Sequence, residues 1–372
     1  MGIFSKLGFG GNEEEAEQET QTLTFKTRVQ LWWDWFGGVA PRFYETIEGG
    51  KCGDLAPEVS EKADELFPGL AWVFGPGEDG VGHSFTLSPE GIAAKQFLTE
   101  YWLEQAPELE GWTFYDSRQP GDIDGSAIGI GDEEYRAEEV WVTPEIDEEK
   151  EVIHVTVWHP KFAILDEGPA HTVLFLWLDE ALGERAVSRW VGQIDISDQE
   201  LKGAMPLLEF AEFVRQAAAE REWSSETRWV NYKLGEPSDR ALRADTIVGS
   251  SGCMAVVDSY LEDGKPANDD PVDRLGAEYV FVALDVRNLP EDDVVGGRGA
   301  IDDRIIDVFE ANQSGLSIGG ATGMINAYID LLILDGQNSI DQISAVVASF
   351  DLPYGATIHP FYTTRDPLPI TI

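Results

Sequence analysis

The residue types that most often bind metals or transfer protons are present in this sequence, but their spacing keeps them apart. His154 and His159 are five residues apart in a predicted strand. Because successive side chains of a strand point to opposite faces, this odd separation prevents the two imidazoles from sharing a metal ion. Asp122 and Glu133 have the spacing of the first and last ligands of a calcium loop, but Ala127 stands where that loop requires glycine. The sequence therefore predicts no metal site.

Three glycine-rich segments have the composition of nucleotide-binding or nucleophile loops, but not their order. Residues 319–323 (GGATG) lie between two predicted strands and lack the lysine and following helix of a P-loop, so we expect a tight turn or a bulge. Residues 296–299 (GGRG) precede a helix whose N-terminus could hold an anion, although nearby aspartates oppose it. Residues 249–253 (GSSGC) have cysteine where a nucleophile elbow requires glycine. No cofactor is predicted.

Aromatic residues concentrate in residues 29–47, where the spacing predicts a helix with a break near Gly37, Gly38 and Pro41. Trp32, Trp33 and Trp35 lie in this segment. Tryptophans so close together usually pack in a core, but alternatively form an exposed platform for a sugar or a base. We name these three as the candidates for an exposed aromatic binding surface. Arg118 is the candidate for a buried charge partner of a carboxylate.

The charge is the most unusual property of the sequence. Asp and Glu number 69 against 26 Lys and Arg, which gives a formal net charge of −43 at pH 7. A field of this sign repels nucleic-acid phosphates and anionic membranes, so neither is expected as a direct partner. Solubility alone accounts for such a charge; alternatively, the charge selects a basic or neutral protein partner.

A cytoplasmic location is expected by elimination. Cys52 and Cys253 are far apart and form no pattern typical of disulfides or zinc sites, as expected in a reducing compartment. The first residues lack the features of a secretory signal. No apolar run approaches the length of about 18 residues that a membrane-spanning helix requires.

A chain of 372 residues exceeds the usual size of a single core, so we expect two domains of the α+β class. Residues 1–21 are predicted to be a flexible acidic tail, residues 22–222 an N-terminal α+β domain and residues 223–372 a C-terminal α+β domain. Between residues 70 and 197 the hydrophobic pattern predicts two strand–strand–helix–strand units. Either a duplicated module or an order common to α+β proteins would produce this pattern. The C-terminal domain has the predicted order βαββαβ, the ferredoxin-like arrangement.

Four segments resemble a group of uncharacterised bacterial cytoplasmic proteins. They are residues 87–91 (LSPEG), 106–112 (APELEGW), 118–120 (RQP) and 178–184 (LDEALGE). The resemblance implies an α+β domain of unknown function, of a kind that occurs in accessory or immunity-type partners. It supplies no catalytic residues.

Because no reactive cluster emerges, the leading prediction is a non-enzymatic protein-interaction protein of an accessory or immunity-like kind, with a basic or neutral protein as its partner. One alternative is a hydrolase-type enzyme that uses dispersed Asp and Glu residues in a cleft lined by tryptophans. Another alternative is a structural subunit of a larger assembly.

Overall fold

A computed structural model describes residues 23–130, 133–165, 167–224 and 229–363 of the chain. Within these ranges, helices are interspersed with separate sheets of two to six strands, which confirms the predicted α+β class. No helix in the same ranges is long and apolar enough to cross a lipid bilayer. The predicted tail, residues 1–21, lies outside the described residues.

The first helix, α1 (Phe25–Glu48), is the aromatic-rich segment. The break expected near Gly37, Gly38 and Pro41 is wrong, because the helix continues through all three residues. Phe36, Ala40 and Phe43 lie on one face of the helix and are all buried. Packing of this face on both sides of the proline stabilises the helical conformation against the lost hydrogen bond.

Helix α2 and the first strand–strand–helix–strand unit follow. The elements are α2 (Ala56–Leu66), β1 (Ala71–Pro76), β2 (His83–Ser88), α3 (Ala93–Glu104) and β3 (Trp112–Tyr115). Strands β1 and β2 pair antiparallel, whereas β3 pairs parallel with β2 after the α3 crossover. A separate hairpin of β4 (Ala127–Ile130) and β5 (Glu133–Arg136) comes next.

The second unit has the same strand directions as the first. Its elements are β6 (Trp141–Asp147), β7 (Val152–Trp158), α4 (Glu167–Leu182), α5 (Glu184–Trp190) and β8 (Val191–Ile196). Strands β6 and β7 pair antiparallel, and β8 pairs parallel with β7. The crossover contains two helices where one was expected, because Gly183 between them adopts a φ of 85° that a right-handed helix does not allow.

A short strand and a helix complete this part of the chain, and a six-stranded antiparallel sheet follows. The elements are β9 (Met205–Pro206), α6 (Leu207–Glu220), β10 (Val230–Tyr232), β11 (Thr246–Ser251), α7 (Met254–Asp263), β12 (Glu278–Asp285), α8 (Val294–Asn312), β13 (Gly315–Gly323), β14 (Asn326–Ile333), α9 (Gln337–Ala348) and β15 (Ala356–Pro360). Strand β9 pairs with β6. The order across the large sheet is β10–β11–β13–β14–β12–β15.

The glycine-rich residues 319–323 form the second half of β13. The pairing of β13 with β14 shifts register between Ser317 and Gly319, so the expected bulge lies at the start of this segment and the glycines continue the strand. A side chain at Gly319 would overlap the carbonyl oxygen of Ser250 on β11. Glycine therefore permits the close approach of these two strands.

Within the described ranges, three buried cores hold the elements together. The first joins α1, α2 and the first unit to α7 and one face of the large sheet. The second lies in the second unit and α6, and the third packs α8 and α9 on the other face of the large sheet. The first core takes residues from both sides of residue 222. The domain boundary expected at this residue stays a prediction.

Candidate functional site

The tryptophans named as candidates belong to the first core. Trp32 is fully buried and Trp33 is 8% exposed, whereas Trp35 is partly buried against the same core. The Trp33 ring stacks on Trp102 with 4.5 Å between the ring centroids, and Trp33 Nε1 donates to the Trp102 carbonyl at 3.1 Å. The hypothesis of an exposed aromatic surface is therefore wrong for Trp32 and Trp33, because their rings contribute their apolar area to the interior.

Arg118 lies in the segment after β3, where the first and second units meet. Its guanidinium forms an ion pair with Glu90, which follows β2, and its Nη1 lies 3.8 Å from Oδ2 of Asp179 in α4. The side chain is half-buried rather than buried as expected. We use the name carboxylate–arginine cluster for this group of side chains: Glu90, Glu100, Asp116, Arg118, Asp179, Glu184 and Arg185.

Glu184 is the most deeply buried member of the cluster and connects three segments of the chain. Its Oε2 accepts hydrogen bonds from Ser88 Oγ at 2.8 Å and from the Arg118 backbone N–H at 3.1 Å. Its Oε1 accepts the Gly91 N–H at 2.6 Å. Hydrogen bonds of this kind stabilise an ionised carboxylate away from water. Glu184 therefore holds α5 of the second unit against the β2–α3 turn of the first unit.

Gly183 allows this contact. A Cβ atom at Gly183 would lie 2.9 Å from Pro120 Cδ and 3.3 Å from the Arg118 carbonyl oxygen. The same carbonyl accepts the Glu184 N–H at 2.9 Å. The segment 118–120 and the α4–α5 junction are thus joined by reciprocal hydrogen bonds that a side chain at position 183 would separate.

Arg185 carries the second guanidinium of the cluster. Its Nη1 lies 3.1 Å from Glu100 Oε1 on α3, and its Nη2 pairs with Asp116 after β3. Ser117 Oγ donates to the other oxygen of Asp116 at 3.1 Å. Burial raises the pKa of Glu100 and the positive charge of Arg185 opposes that rise.

Asp179 is the member of the cluster that can exchange a proton near neutral pH. Burial raises the pKa of its carboxyl from 3.8 to about 7, and the negative charge of Glu184 adds to the effect. Arg118 opposes it, while Glu90 and Glu180 contribute further repulsion. Two neighbouring carboxyl groups with different environments also occur in acid–base catalysis.

The space beside the cluster limits what it can bind. A cavity of about 10 Å³ lies between the β2–α3 turn and α5, and Gly91, Ser117 and Glu184 are among its lining residues. This volume corresponds to about one water molecule. The arrangement can therefore hold a proton and a water, whereas a substrate would require the two units to separate.

The histidines are dispersed and engaged with their own neighbours. His83 Nε2 lies 3.1 Å from Glu48, and His154 Nδ1 accepts the Gln193 N–H at 2.8 Å. His159 is fully buried, and this burial lowers the pKa of its imidazole. In the part of the chain that the structure describes, no group of three or more His, Cys, Asp or Glu side chains could hold a metal ion.

The large sheet contains a second buried ion pair that the sequence did not indicate. Arg243 and Asp330 are both fully buried, and the guanidinium pairs with both carboxylate oxygens. Arg243 Nη2 also donates to the Tyr232 hydroxyl at 3.0 Å. The guanidinium carbon lies 5.1 Å from the ring centroid of Phe281 and 5.0 Å from that of Phe361. This complete enclosure is typical of a structural pair.

Sequence reasoning missed Asp179, Glu184 and Arg185 as members of the cluster. Asp179 and Glu184 stand in the segment 178–184 that carries the family resemblance, which was the available signal. No family model, curated protein or solved structure matches the chain. Membership of the group of uncharacterised bacterial cytoplasmic proteins therefore stays a prediction.

Proposed function

We propose that this protein is a non-enzymatic interaction protein of an accessory kind that binds a basic protein partner through its acidic surface. The observation that carries the proposal is the charge balance. Even if each of the 26 Lys and Arg residues pairs with a different carboxylate, the 69 Asp and Glu residues leave 43 carboxylates without a cationic side chain of the same protein. A partner that supplies cations would relieve this repulsion and be steered toward the surface.

The distribution of the cations supports the same function. Arg118 and Arg185 pair with carboxylates at the junction of the two units, and Arg243 is enclosed in the large sheet. On the surface, Arg42 pairs with Glu58. Cations placed in this way neutralise the protein's own carboxylates and offer little positive potential to an anionic ligand. The cytoplasm remains the expected location.

The hydrolase alternative has one supporting observation, the contrast between the raised pKa of Asp179 and the hydrogen-bonded carboxylate of Glu184. The cavity beside them has room for about one water. Trp32 and Trp33, which would line the cleft, are core residues. The geometry therefore favours the interaction protein.

We also propose a fold assignment. Strands β12 to β15 with α8 and α9 follow the order βαββαβ, and the sheet order β13–β14–β12–β15 is the one that a ferredoxin-like arrangement requires. The shared strand directions of the two strand–strand–helix–strand units are those of a duplicated module. Folds of this kind host many functions, so the proposal of function depends on the charge and not on the fold.

The test is affinity capture with the full chain as bait, from lysate of the source cells, at about 50 mM and about 500 mM salt. An unrelated acidic protein of similar isoelectric point serves as the control bait, because any polyanion adsorbs basic proteins. We expect a small set of basic proteins that the control does not retain and that high salt releases. The same retained set on both baits, or capture that salt does not change, would refute the proposal.

A further inference from the structure

An exposed apolar surface lies at one end of the large sheet. Ile247 and Val248 on β11 and Met324 and Ile325 in the β13–β14 turn are between 37% and 48% exposed, and Val295 in the first turn of α8 is 56% exposed. We use the name end patch for these five side chains. Single exposed apolar residues are common, but a contiguous group of them marks a contact surface.

Backbone hydrogen bonds bring together the segments that carry the end patch. The Met324 N–H donates to the carbonyl of Asp245 at 3.0 Å, two residues before Ile247. The Ile325 carbonyl accepts the Val286 N–H at 2.9 Å, which brings the segment before α8 to the same end of the sheet. The start of β11, the β13–β14 turn and the segment before α8 therefore lie at the same end of the sheet.

Carboxylates border the α8 side of the end patch. Glu291, Asp292 and Asp293 are exposed in the segment that leads into α8. The neighbouring cation, Arg287, is already paired with Asp285, which its Nη2 approaches to 2.5 Å. The border of the patch thus carries negative charge that the adjacent arginine does not neutralise.

We infer that the end patch is the docking surface for a segment of the basic partner. The inference rests on the proposed function. The segment that fits this surface has apolar side chains at its centre, which contact Met324 and Ile325, and lysine or arginine on both sides, which face the carboxylates before α8. Apolar contacts at the centre supply most of the affinity of such interfaces, whereas charges at the rim supply attraction and register.

Three synthetic heptapeptides with a fluorescent label serve as probes in anisotropy titrations with the full chain. The first has three apolar residues at its centre and two lysines on each side. The second keeps the lysines but has serine at the centre, and the third keeps the apolar centre but has serine on each side. We expect the first to bind about tenfold tighter than either of the others, a difference typical of one well-placed apolar contact region.

Two variants locate the binding. Met324→Ser with Ile325→Ser should weaken the first peptide about tenfold and leave the second unchanged. Val81→Ser is the matched control, because Val81 is 75% exposed in the β1–β2 turn of the first unit. The inference is overturned if the end-patch variant binds the first peptide as tightly as the original chain does. If neither basic peptide binds even at low salt, the proposed acidic binding function fails, and the inference fails with it.

Discussion

Replacing Asp179 with asparagine removes a carboxyl of the carboxylate–arginine cluster that titrates near neutral pH. The pKa of Asp179 is about 7 in the folded protein against an ordinary value of 3.8. A carboxyl with a raised pKa stabilises the folded state while it is protonated. This contribution is fully present below about pH 3.8 and is lost as the pH rises through about 7.

The magnitude follows from the same two values. They differ by about three pH units, and each unit corresponds to about 1.4 kcal/mol, so ionisation of Asp179 lowers the free energy of unfolding by up to about 4 kcal/mol. The side chain is 16% exposed, so solvent screening removes little of this energy. The Asp179→Asn variant cannot ionise at this position and should therefore lose this part of the pH dependence.

Urea unfolding followed by tryptophan fluorescence, from about pH 4.5 to about pH 8.5, measures the effect. The free energy of unfolding of the variant minus that of the original chain should rise with pH, by about 3 kcal/mol over this interval, because the interval begins above the ordinary pKa of 3.8. Asp198→Asn, in an exposed loop, is the matched control for removal of one carboxylate. Parallel curves for the Asp179 variant and the original chain, within about 0.5 kcal/mol, would show that burial of this carboxyl is not what the geometry indicates.

Three further substitutions test other contacts, each by urea unfolding at neutral pH. Glu184→Ala removes the acceptor of three hydrogen bonds, including the buried one from Ser88, so the free energy of unfolding should fall by about 3 kcal/mol. Glu184→Gln should cost less, and equal losses would contradict a role for the charge. Gly249→Val places a side chain where the Tyr232 ring lies, so the free energy of unfolding should fall by about 1–3 kcal/mol. An unchanged free energy of unfolding would show that the ring is free to move. Arg243→Met leaves the buried carboxylate of Asp330 without its ion pair and should lower the free energy of unfolding by about 3–5 kcal/mol. The double variant Arg243→Met with Asp330→Leu should regain most of this stability. A double variant no more stable than the single one would show that other groups interact with the pair.

Local patterns predicted the elements of this fold better than their contacts. The spacing of apolar residues indicated α1 and the order of strands and helices after β12. It failed at Pro41, because the packing on both sides of the proline is a long-range property. It also missed α5, the second helix of the second crossover, which begins directly after Gly183.

The exposure of the tryptophans could not be predicted from spacing. Trp32 and Trp33 are adjacent in the sequence and point in different directions from α1, yet both are buried. Trp32 packs on Phe67 after α2 and on Phe85 of β2, whereas Trp33 packs on Trp102 of α3 and Phe114 of β3. More than one face of α1 is therefore covered. A periodic pattern identifies one buried face, but it does not report whether a second layer covers the rest.

The ionic contacts had no local signal because their members are distant in sequence. Arg243 and Asp330 are 87 residues apart, and Ser88 and Glu184 are 96 apart. In a sequence with this many carboxylates, the sequence alone does not show which carboxylate the fold buries. The segment 178–184 carried a resemblance without a role. Glu184 gains its three donors only where the β2–α3 turn and the segment after β3 approach it.

Two of the few cationic side chains, Arg28 and Arg243, lie in the interior of the protein. Arg28 is 1% exposed and its Nη1 donates to the Leu66 carbonyl at 3.0 Å, and Arg243 is enclosed beside Asp330. A guanidinium suits these positions, because its planar set of donors satisfies several buried acceptors at once. These two cations are thus enclosed in the interior, and the surface keeps an excess of carboxylates. Since exposed charges contribute little to stability individually, substitution of surface carboxylates should change the attraction of a basic partner before it changes folding.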